Sequence, residues 1–204
     1  INHPATTIFS DPEAAKYAWG TGFHWYETWA GGEPMFSNLT KVKEAFPEKE
    51  LIFTEGCAER FHEGRYQSWE NAERYARSMI NDFNRSTVAW TDWNILLDQR
   101  GGPNHVGNFC FAPMHANVNT GELYYTLTYY YIGHFSKFIR PGARRVSTAP
   151  SRSHLLATSF LNLDGSLATV VMNQSDDVIH YKLIAADRQT ETSIQPHAIQ
   201  TLVY

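Results

Sequence analysis

Three short segments of strand-forming residues recur in the first half of the chain, with one helix-forming segment in each gap. They cover residues 20–27, 51–55 and 87–94, so their starts lie 31 and 36 residues apart. Amphipathic segments at residues 38–46 and 68–83 fill the two gaps. This spacing is typical of successive βαβ units, whose strands are parallel neighbours in one sheet or barrel. The pattern therefore predicts an α/β fold.

The second strand segment, residues 51–55, is an apolar run that ends in Glu55 and is followed by Gly56. A run without polar alternation is typical of a parallel strand that is covered on both faces. Functional side chains collect at the carboxyl ends of such strands, so Glu55 is a candidate catalytic acid. The alternative is a structural glutamate that faces water or pairs with an arginine, and for Glu55 taken alone this alternative is favoured.

Other local signals predict further elements. Ser10 is expected to cap a helix through about Tyr17, with Glu13 completing a capping box and Pro12 in the first turn. A long loop is expected from Gly101, and residues 124–138 show helical spacing of aromatic residues. From about residue 145 the pattern is that of strands, at 155–161, 167–172, 178–184, 190–194 and 198–204. Five short strands are few for a closed sandwich, so part of this sheet is expected from elsewhere.

Charge and composition exclude several kinds of partner. The chain has 17 basic and 21 acidic residues that are not segregated, which gives no footprint for nucleic acid or an anionic membrane. No apolar run approaches the ~18 residues of a membrane span, and the first residues lack the pattern of a signal peptide, so the compartment stays open. Cys57 and Cys110 are expected to be free thiols. No residues have metal-ligand spacing, and neither a metal nor a cofactor is expected.

Aromatic residues, amides and one carboxylate are predicted to meet at the ends of the three strands. Aromatic walls with a few polar groups suit a sugar, because pyranose rings present apolar C–H faces and hydroxyl edges. Retaining glycoside hydrolysis needs two carboxyl groups only ~5 Å apart, so Glu55 alone is not enough. The other residues of this predicted edge are His24, Trp25, Tyr26, Trp93, Asn94 and Asn108.

From residue 11 to its end the chain resembles glycoside hydrolase family 30, in the glucosylceramidase branch. Several motifs occur in the order that the family shows, which makes the resemblance more specific than any one of them. They are DPEAAKY at 11–17, HWY at 24–26, TEGC at 54–57, WTDWN at 90–94, GGPN at 101–104 followed by Asn108 and Phe109, and GHFSKF at 133–138.

The resemblance implies a fold and a reaction. The fold is the C-terminal part of a (β/α)8 TIM barrel, strands six to eight, within residues 1–141, followed by a β-sandwich-like module at 142–204 that is incomplete without N-terminal strands. The reaction is retaining cleavage of β-glucosidic bonds, in glucosylceramide-type glycolipids or other β-glucosides. The alternative from another class is a non-catalytic carbohydrate-binding or interaction protein derived from this fold.

The resemblance also implies roles for individual residues. Glu55 matches the nucleophile and Tyr26 the tyrosine that hydrogen-bonds it. Substrate binding is implied for His24, Trp25, Trp93, Asn108 and Phe109. Each has a structural alternative, such as a buried hydrogen-bonded histidine for His24, barrel packing for Trp93 and a turn former for Asn108.

One part of the family pattern is missing. The acid/base glutamate of the family lies in an Asn-Glu-Pro motif, which this sequence lacks, and Glu33-Pro34 follows Gly31-Gly32 in a loop instead of ending a strand. The chain is therefore expected to be the C-terminal half of an enzyme, inactive alone, with the N-terminal half as a separate chain. His105 and Gly107 depart from the human-type loop, which leaves the aglycone open.

Overall fold

The computed structural model describes residues 2–204, and the contacts divide the chain into two compact units. The first contains the residues up to 66 together with 81–125, and the second contains 67–80 together with 126–204. Within the described residues, no helix combines the length and the apolarity that crossing a membrane requires.

A three-stranded parallel sheet forms the centre of the first unit. Its strands are β1 (Gly20–His24), β2 (Glu50–Glu55) and β3 (Thr87–Trp90), in the order β1-β2-β3. The parallel pairing predicted from the spacing is thus confirmed. β1 and β3 end sooner than predicted: the register shifts after Phe23, and Tyr26–Ala30 form a 3-10 turn.

The coverage of β2 differs from the expectation of two buried faces. Leu51 and Phe53 are buried on one face, whereas Ile52 is half-buried and Thr54 is exposed on the other. Side chains alternate across a strand, so only one face of β2 is fully covered by the described residues.

Three helices precede β2, α1 (Asn2–Phe9), α2 (Pro12–Ala15) and α3 (Ser37–Ala45). The sequence did not predict α1, whose β-branched residues are poor helix formers. Packing outweighs this propensity, because Ala5 and Phe9 of α1 are buried against Leu39 and Val42 of α3. The predicted cap at Ser10 is wrong: the Asp11 side chain caps α2 by accepting from the Glu13 backbone N–H at 2.9 Å.

A second small sheet lies where a long loop was expected. It contains β4 (Leu96–Asp98), β5 (Met114–Ala116) and β6 (Leu123–Tyr125), with β5 parallel to β4 and antiparallel to β6. His115 is fully buried in it, with Nδ1 2.8 Å from the Asp98 carbonyl and Nε2 accepting from the Ala112 N–H. Burial lowers the pKa of His115, so it serves here as a neutral structural histidine.

The second unit contains an antiparallel sheet and a separate hairpin. The sheet has the order β12-β9-β8-β7 and the hairpin pairs β10 with β11. The five predicted strands are present, while β7 was not predicted. The bounds are β7 Arg144–Val146, β8 Leu155–Leu161, β9 Leu167–Asn173, β10 Ile179–Ala185, β11 Arg188–Ile194 and β12 Ile199–Val203.

Two longer helices complete the described elements. α4 (Trp69–Asn84) has the predicted apolar stripe, with Ala72, Tyr75 and Ile80 buried, but Trp69 at its start is 40% exposed. α5 (Leu127–Ser136) begins three residues later than expected, because residues 123–125 pair as β6.

A groove of about 840 Å³ lies between the sheet of the second unit and the β10–β11 hairpin. Leu155, Ala157 and Val171 line it from the sheet, and Tyr181 and Leu183 line it from the hairpin. Apolar surface on both sides of a groove this large leaves the two layers incompletely packed against each other.

Candidate active site

The centre of the site is the carboxylate of Glu55, the last residue of β2. The parallel pairing places His24, the last residue of β1, opposite Glu55, and Tyr26 follows directly in the 3-10 turn. The Tyr26 hydroxyl donates a hydrogen bond to Glu55 Oε1 at 3.1 Å. Two adjacent strand ends therefore bring a tyrosine to a half-buried carboxylate.

A cluster of aromatic rings lies beneath this pair. Phe53 stacks on Trp90 with ring centroids 4.2 Å apart, and Trp25 packs edge-on against both rings at 5.6 and 5.8 Å. A Cβ at Gly56 would lie 2.7 Å from the Phe53 ring and 2.9 Å from that of Trp25. Glycine is required after Glu55 because the chain turns directly over these rings.

Burial and neighbouring groups keep the Tyr26 hydroxyl protonated. Burial is the largest cause that raises its pKa, and the nearby Cys57 and Glu55 raise it further. The phenol therefore acts as a donor and the carboxylate as an acceptor. A hydrogen bond to the ionised carboxylate fixes one of its oxygens, and leaves the other for a second partner.

The structure places the predicted substrate-binding residues at different depths. His24 is exposed, with its ring 5.6 Å from that of Tyr26 and almost perpendicular to it. Trp93 is 41% exposed, and its backbone N–H donates to the Gly56 carbonyl at 3.1 Å, which holds it beside the end of β2. Trp25 is only 7% exposed, within the aromatic cluster.

The segment that carries Asn108 and Phe109 is attached to the site by backbone bonds. The Asn104 side chain accepts from the Asn108 N–H at 3.2 Å, and the Phe111 N–H donates to the Ala58 carbonyl at 2.7 Å. Phe109 is 37% exposed and Asn108 is half-buried. This segment thus runs along the chain that leaves β2.

Sequence reasoning missed two residues at the rim of the site. Trp29 lies with its ring centroid 4.4 Å from that of Tyr26, and its Nε1 donates to Glu59 Oε1 at 3.1 Å. Trp29 follows Tyr26 by three residues, and a 3-10 turn brings such residues to the same side. An expectation of a turn after His24 would have found this contact.

The two cysteines also belong to this neighbourhood. Their sulfurs lie 3.2 Å apart, both are buried, and both are free thiols, as predicted. Cys57 Sγ is 3.6 Å from the Tyr26 hydroxyl, and the Cys110 thiol donates to the Asn108 carbonyl at 3.4 Å. Within residues 2–204, no group of three or more His, Cys, Asp and Glu side chains could hold a metal ion.

Comparison with known proteins identifies the family to which this site belongs. Residues 1–139 match the family model of the glycosyl hydrolase family 30 TIM-barrel domain, and residues 142–202 match that of the family 30 beta sandwich domain. The chain belongs to glycosyl hydrolase family 30. The family 30 resemblance and the fold class expected from the sequence, part of a TIM barrel followed by a β-sandwich, are confirmed.

Relatives of this family 30 chain cover nearly all of its length. It is 34% identical to the lysosomal acid glucosylceramidase of Mus musculus over 98% of the chain. Among solved structures, SrfJ from Salmonella typhimurium has a TM-score of 0.90 and 31% identity, and an endo-β1,6-glucanase has a TM-score of 0.81 and 25% identity, each over 98% of the chain. The chain spans only 39% of the mouse protein, 44% of SrfJ and 43% of the glucanase.

Proposed function

We propose that residues 1–204 are the C-terminal part of a retaining β-glycosidase in which Glu55 is the nucleophile. The observation that carries this proposal is the hydrogen bond from the Tyr26 hydroxyl to the carboxylate at the end of β2, in a family 30 chain. In this proposal residues 1–141 belong to the barrel and residues 142–204 to the sandwich module.

The reaction is a double displacement. A Glu55 carboxylate oxygen attacks the anomeric carbon while a glutamate outside residues 1–204 donates a proton to the leaving oxygen. Water then hydrolyses the glycosyl ester and restores the carboxylate. Tyr26 holds the attacking group in position through its hydrogen bond.

The exposed side chains around Glu55 form the proposed sugar site. Trp93 and Phe109 offer exposed aromatic surface to the apolar face of a sugar ring, while His24 and Asn108 offer polar atoms to its hydroxyls. Trp25 is buried beneath the site, and its predicted contact with substrate stays a prediction.

The relatives support a β-glucoside as the substrate. One is named a glucosylceramidase and another an endo-β1,6-glucanase, so both names refer to a glucosyl group and the second names a β bond. We infer that the complete protein cleaves β-glucosides, of the glucosylceramide type or another glycolipid or glucan.

The proposed partner of this chain is the N-terminal half of the same enzyme. The chain spans about 40% of its relatives, and the sequence has no Asn-Glu-Pro motif to supply the acid. The groove beside the β10–β11 hairpin and the exposed face of β2 are surfaces that additional strands would cover.

Covalent labelling tests the proposal. The complete protein, treated with an epoxide or fluoro-sugar inactivator of β-glucosidases, should carry the label on Glu55 in peptide mass spectrometry. Glu55→Gln should abolish both label and turnover without loss of thermal stability. Glu50→Gln, a matched change at the opposite end of β2, should retain both.

Two results would contradict the assignment. Turnover with a label on another carboxylate would remove Glu55 from the role of nucleophile. Sugar binding without label or turnover would favour the non-catalytic carbohydrate-binding alternative.

A further inference from the structure

We propose that Cys57 and Cys110 form a redox modification site, which hydrogen peroxide or another small hydroperoxide converts to a disulfide that weakens the Tyr26–Glu55 pair. The site follows from contacts among the two sulfurs, the Tyr26 hydroxyl and the Asn108 carbonyl. It goes beyond the proposed function, and only its activity measurement rests on that function.

The two sulfur atoms are already in direct contact. The Cys57 and Cys110 sulfurs are 3.2 Å apart although 53 residues separate them in sequence. An S–S bond is about 2 Å long, so the sulfurs must approach by only about 1 Å. The segments that carry them are held together by backbone bonds, including that from the Phe111 N–H to the Ala58 carbonyl.

The burial of both sulfurs selects the oxidant. Cys57 is 2% exposed and Cys110 is 1% exposed, so an oxidant that is itself a bulky disulfide has no direct approach to either sulfur. A molecule close to the size of water reaches such a site through small fluctuations. The thiolate is the form that attacks peroxide. The hydrogen bond between the two thiols lowers the pKa of Cys57, which favours Cys57 as the attacking thiol.

The oxidation balances with one peroxide as the only added reactant. The Cys57 thiolate attacks one peroxide oxygen, the O–O bond breaks, and the other oxygen leaves as hydroxide and takes a proton to become water. Cys110 sulfur then attacks the sulfenic sulfur of Cys57, and the S–O bond breaks. The departing hydroxide takes the Cys110 proton, so two thiols and one peroxide give one disulfide and two waters.

The disulfide alters the contact that each of the two cysteines makes with a neighbour of Glu55. Cys57 Sγ now lies 3.6 Å from the Tyr26 hydroxyl, and Cys110 donates to the Asn108 carbonyl. Oxidation removes both S–H groups and draws Cys57 Sγ toward Cys110. The Tyr26 hydroxyl and the Asn108 segment then lose the neighbours that position them beside Glu55.

Peptide mass spectrometry on the complete, natively folded protein tests the modification itself. After brief exposure to hydrogen peroxide, alkylation and digestion, we expect a linked peptide pair that contains Cys57 and Cys110 and is about 2 Da lighter than the two reduced peptides. Dithiothreitol should restore both thiols. In Cys110→Ala the link should be absent, and dimedone added together with denaturant after the peroxide should trap a sulfenic acid at Cys57.

The activity measurement tests the consequence. Oxidation should lower kcat/KM of the wild-type enzyme by roughly threefold or more, reversibly, and should have no dithiothreitol-reversible effect on Cys110→Ala. Both thiols remaining alkylatable after peroxide, or only sulfinic and sulfonic products forming, would overturn the modification site. A quantitative disulfide with unchanged kcat/KM would overturn its effect on Tyr26 and Glu55. The mass measurement on the wild type stands even if the variant does not fold.

Discussion

The hydroxyl of Tyr26 lies between two acceptors of different strength. It is 3.1 Å from a carboxylate oxygen of Glu55 and 3.6 Å from the sulfur of Cys57. Hydrogen bonds to an ionised carboxylate are roughly twice as strong as neutral ones, and sulfur is a weak acceptor. The Tyr26 hydroxyl therefore donates its proton to the hydrogen bond with Glu55, and the Cys57 sulfur mainly limits where the Tyr26 ring can move.

Tyr26→Phe should reduce the rate without abolishing it. A hydrogen bond to a charged group is worth about 1.5–3 kcal/mol, which corresponds to a loss of about ten- to a hundredfold in kcat/KM of the complete enzyme. Tyr124→Phe is the matched control, because the Tyr124 hydroxyl also donates to a glutamate, Glu122, at 2.9 Å. Tyr124 lies in β6 and Glu122 directly precedes that strand. Equal rates for Tyr26→Phe and the wild type would remove Tyr26 from the site.

Asp82 is a buried carboxylate that lies outside the proposed chemistry. It is 2% exposed and accepts from the Trp90 indole N–H at 3.1 Å. Burial raises its pKa to about 7, although the Trp90 bond and Arg85 oppose the shift. Because the folded pKa lies above the unfolded one, the contribution of Asp82 to the free energy of unfolding is fully present below about pH 4. This contribution is lost as the pH rises through about 7.

Asp82→Asn should therefore become more stable relative to the wild type as the pH rises. The amide keeps an acceptor for Trp90 but has no charge to bury, so the difference between pH 5 and pH 8 should reach a few kcal/mol, on the order of 1.4 kcal/mol per pKa unit. Denaturant melts of the complete protein at several pH values measure it. Parallel pH profiles for Asp82→Asn, wild type and the exposed control Glu48→Gln would contradict the assignment.

The sequence was informative for residues whose role follows from a local position. Glu55 was a candidate because it ends an apolar run, whereas the roles of Glu55 as nucleophile and of Tyr26 as its donor came from the family resemblance and stay predictions. The contact between Cys110 and Cys57 was not predicted, since it spans 53 residues and nothing local to either cysteine specifies it. Trp29 was missed because the strand was expected to continue to Glu27, whereas the chain turns after His24.

At the scale of the elements, two ion pairs join α4 to the segment before β12: His197 with Glu73 and His197 with Asp176, together called the charged bracket. His197 lies with Nδ1 2.9 Å from Glu73 of α4 and with Nε2 2.8 Å from Asp176, and the Trp69 ring stacks on its imidazole at 3.7 Å. The hydrogen bonds to Asp176 and then Glu73 raise the pKa of His197. Glu73 is buried, so it depends on this partner more than the exposed Asp176 does.

His197→Asn should weaken this bracket and remove its pH dependence. Asparagine tolerates the left-handed backbone of residue 197, where φ is 49°, but it cannot become charged or reach both carboxylates. Leaving a buried acceptor weakly paired costs about 1–3 kcal/mol of unfolding free energy.

The difference in unfolding free energy between His197→Asn and the wild type should depend on pH. A raised histidine pKa gives a contribution to the free energy of unfolding that is complete below about pH 6.5 and is lost as the pH rises through the folded pKa. The variant should therefore differ most from the wild type below about pH 6.5 and progressively less as the pH rises above it. Asp176→Asn is the control and should cost less than about 1 kcal/mol, because its carboxylate is exposed. A constant difference between pH 5 and 9 would exclude a charged bracket.

Long, strongly patterned elements were predictable, and short ones were not. The stripe of α4 and the seven-residue strands β8 and β9 carry enough residues for the period to show. The three-residue strands β4, β5 and β6 are too short for any period, and buried His115 joins them through contacts that no local pattern reveals. Helix α1 depends on packing against α3, which its own sequence does not record.

For the molecule as a whole, residues 1–204 alone should not form a stable monomer. β1 and β3 are the edge strands of the parallel sheet, one face of β2 is only partly covered, and a two-stranded hairpin such as β10–β11 is marginal by itself. Size-exclusion chromatography and thermal melting of this segment should show association and no cooperative transition. Addition or co-expression of the N-terminal half should restore both, whereas a monodisperse monomer with a sharp melt would contradict the prediction.

The family and its fold were accessible from sequence at this scale because several motifs occur in a fixed order along the chain. What covers the partly exposed face of β2 and the groove was not accessible from the sequence. The residues of a surface do not specify the residues that pack on it. Five short strands are few for a closed sandwich, and the groove of about 840 Å³ is the surface on which we propose that further strands pack.

The glycine beside Glu55 also matters to anyone who would redesign the site by directed evolution. Any larger residue at position 56 must displace the rings of Phe53 and Trp25 next to the end of β2. His105 and Val106, in contrast, are exposed in the segment before Asn108, where new side chains meet water. Substitutions at 105 and 106 should therefore be tolerated far more often than substitutions at 56.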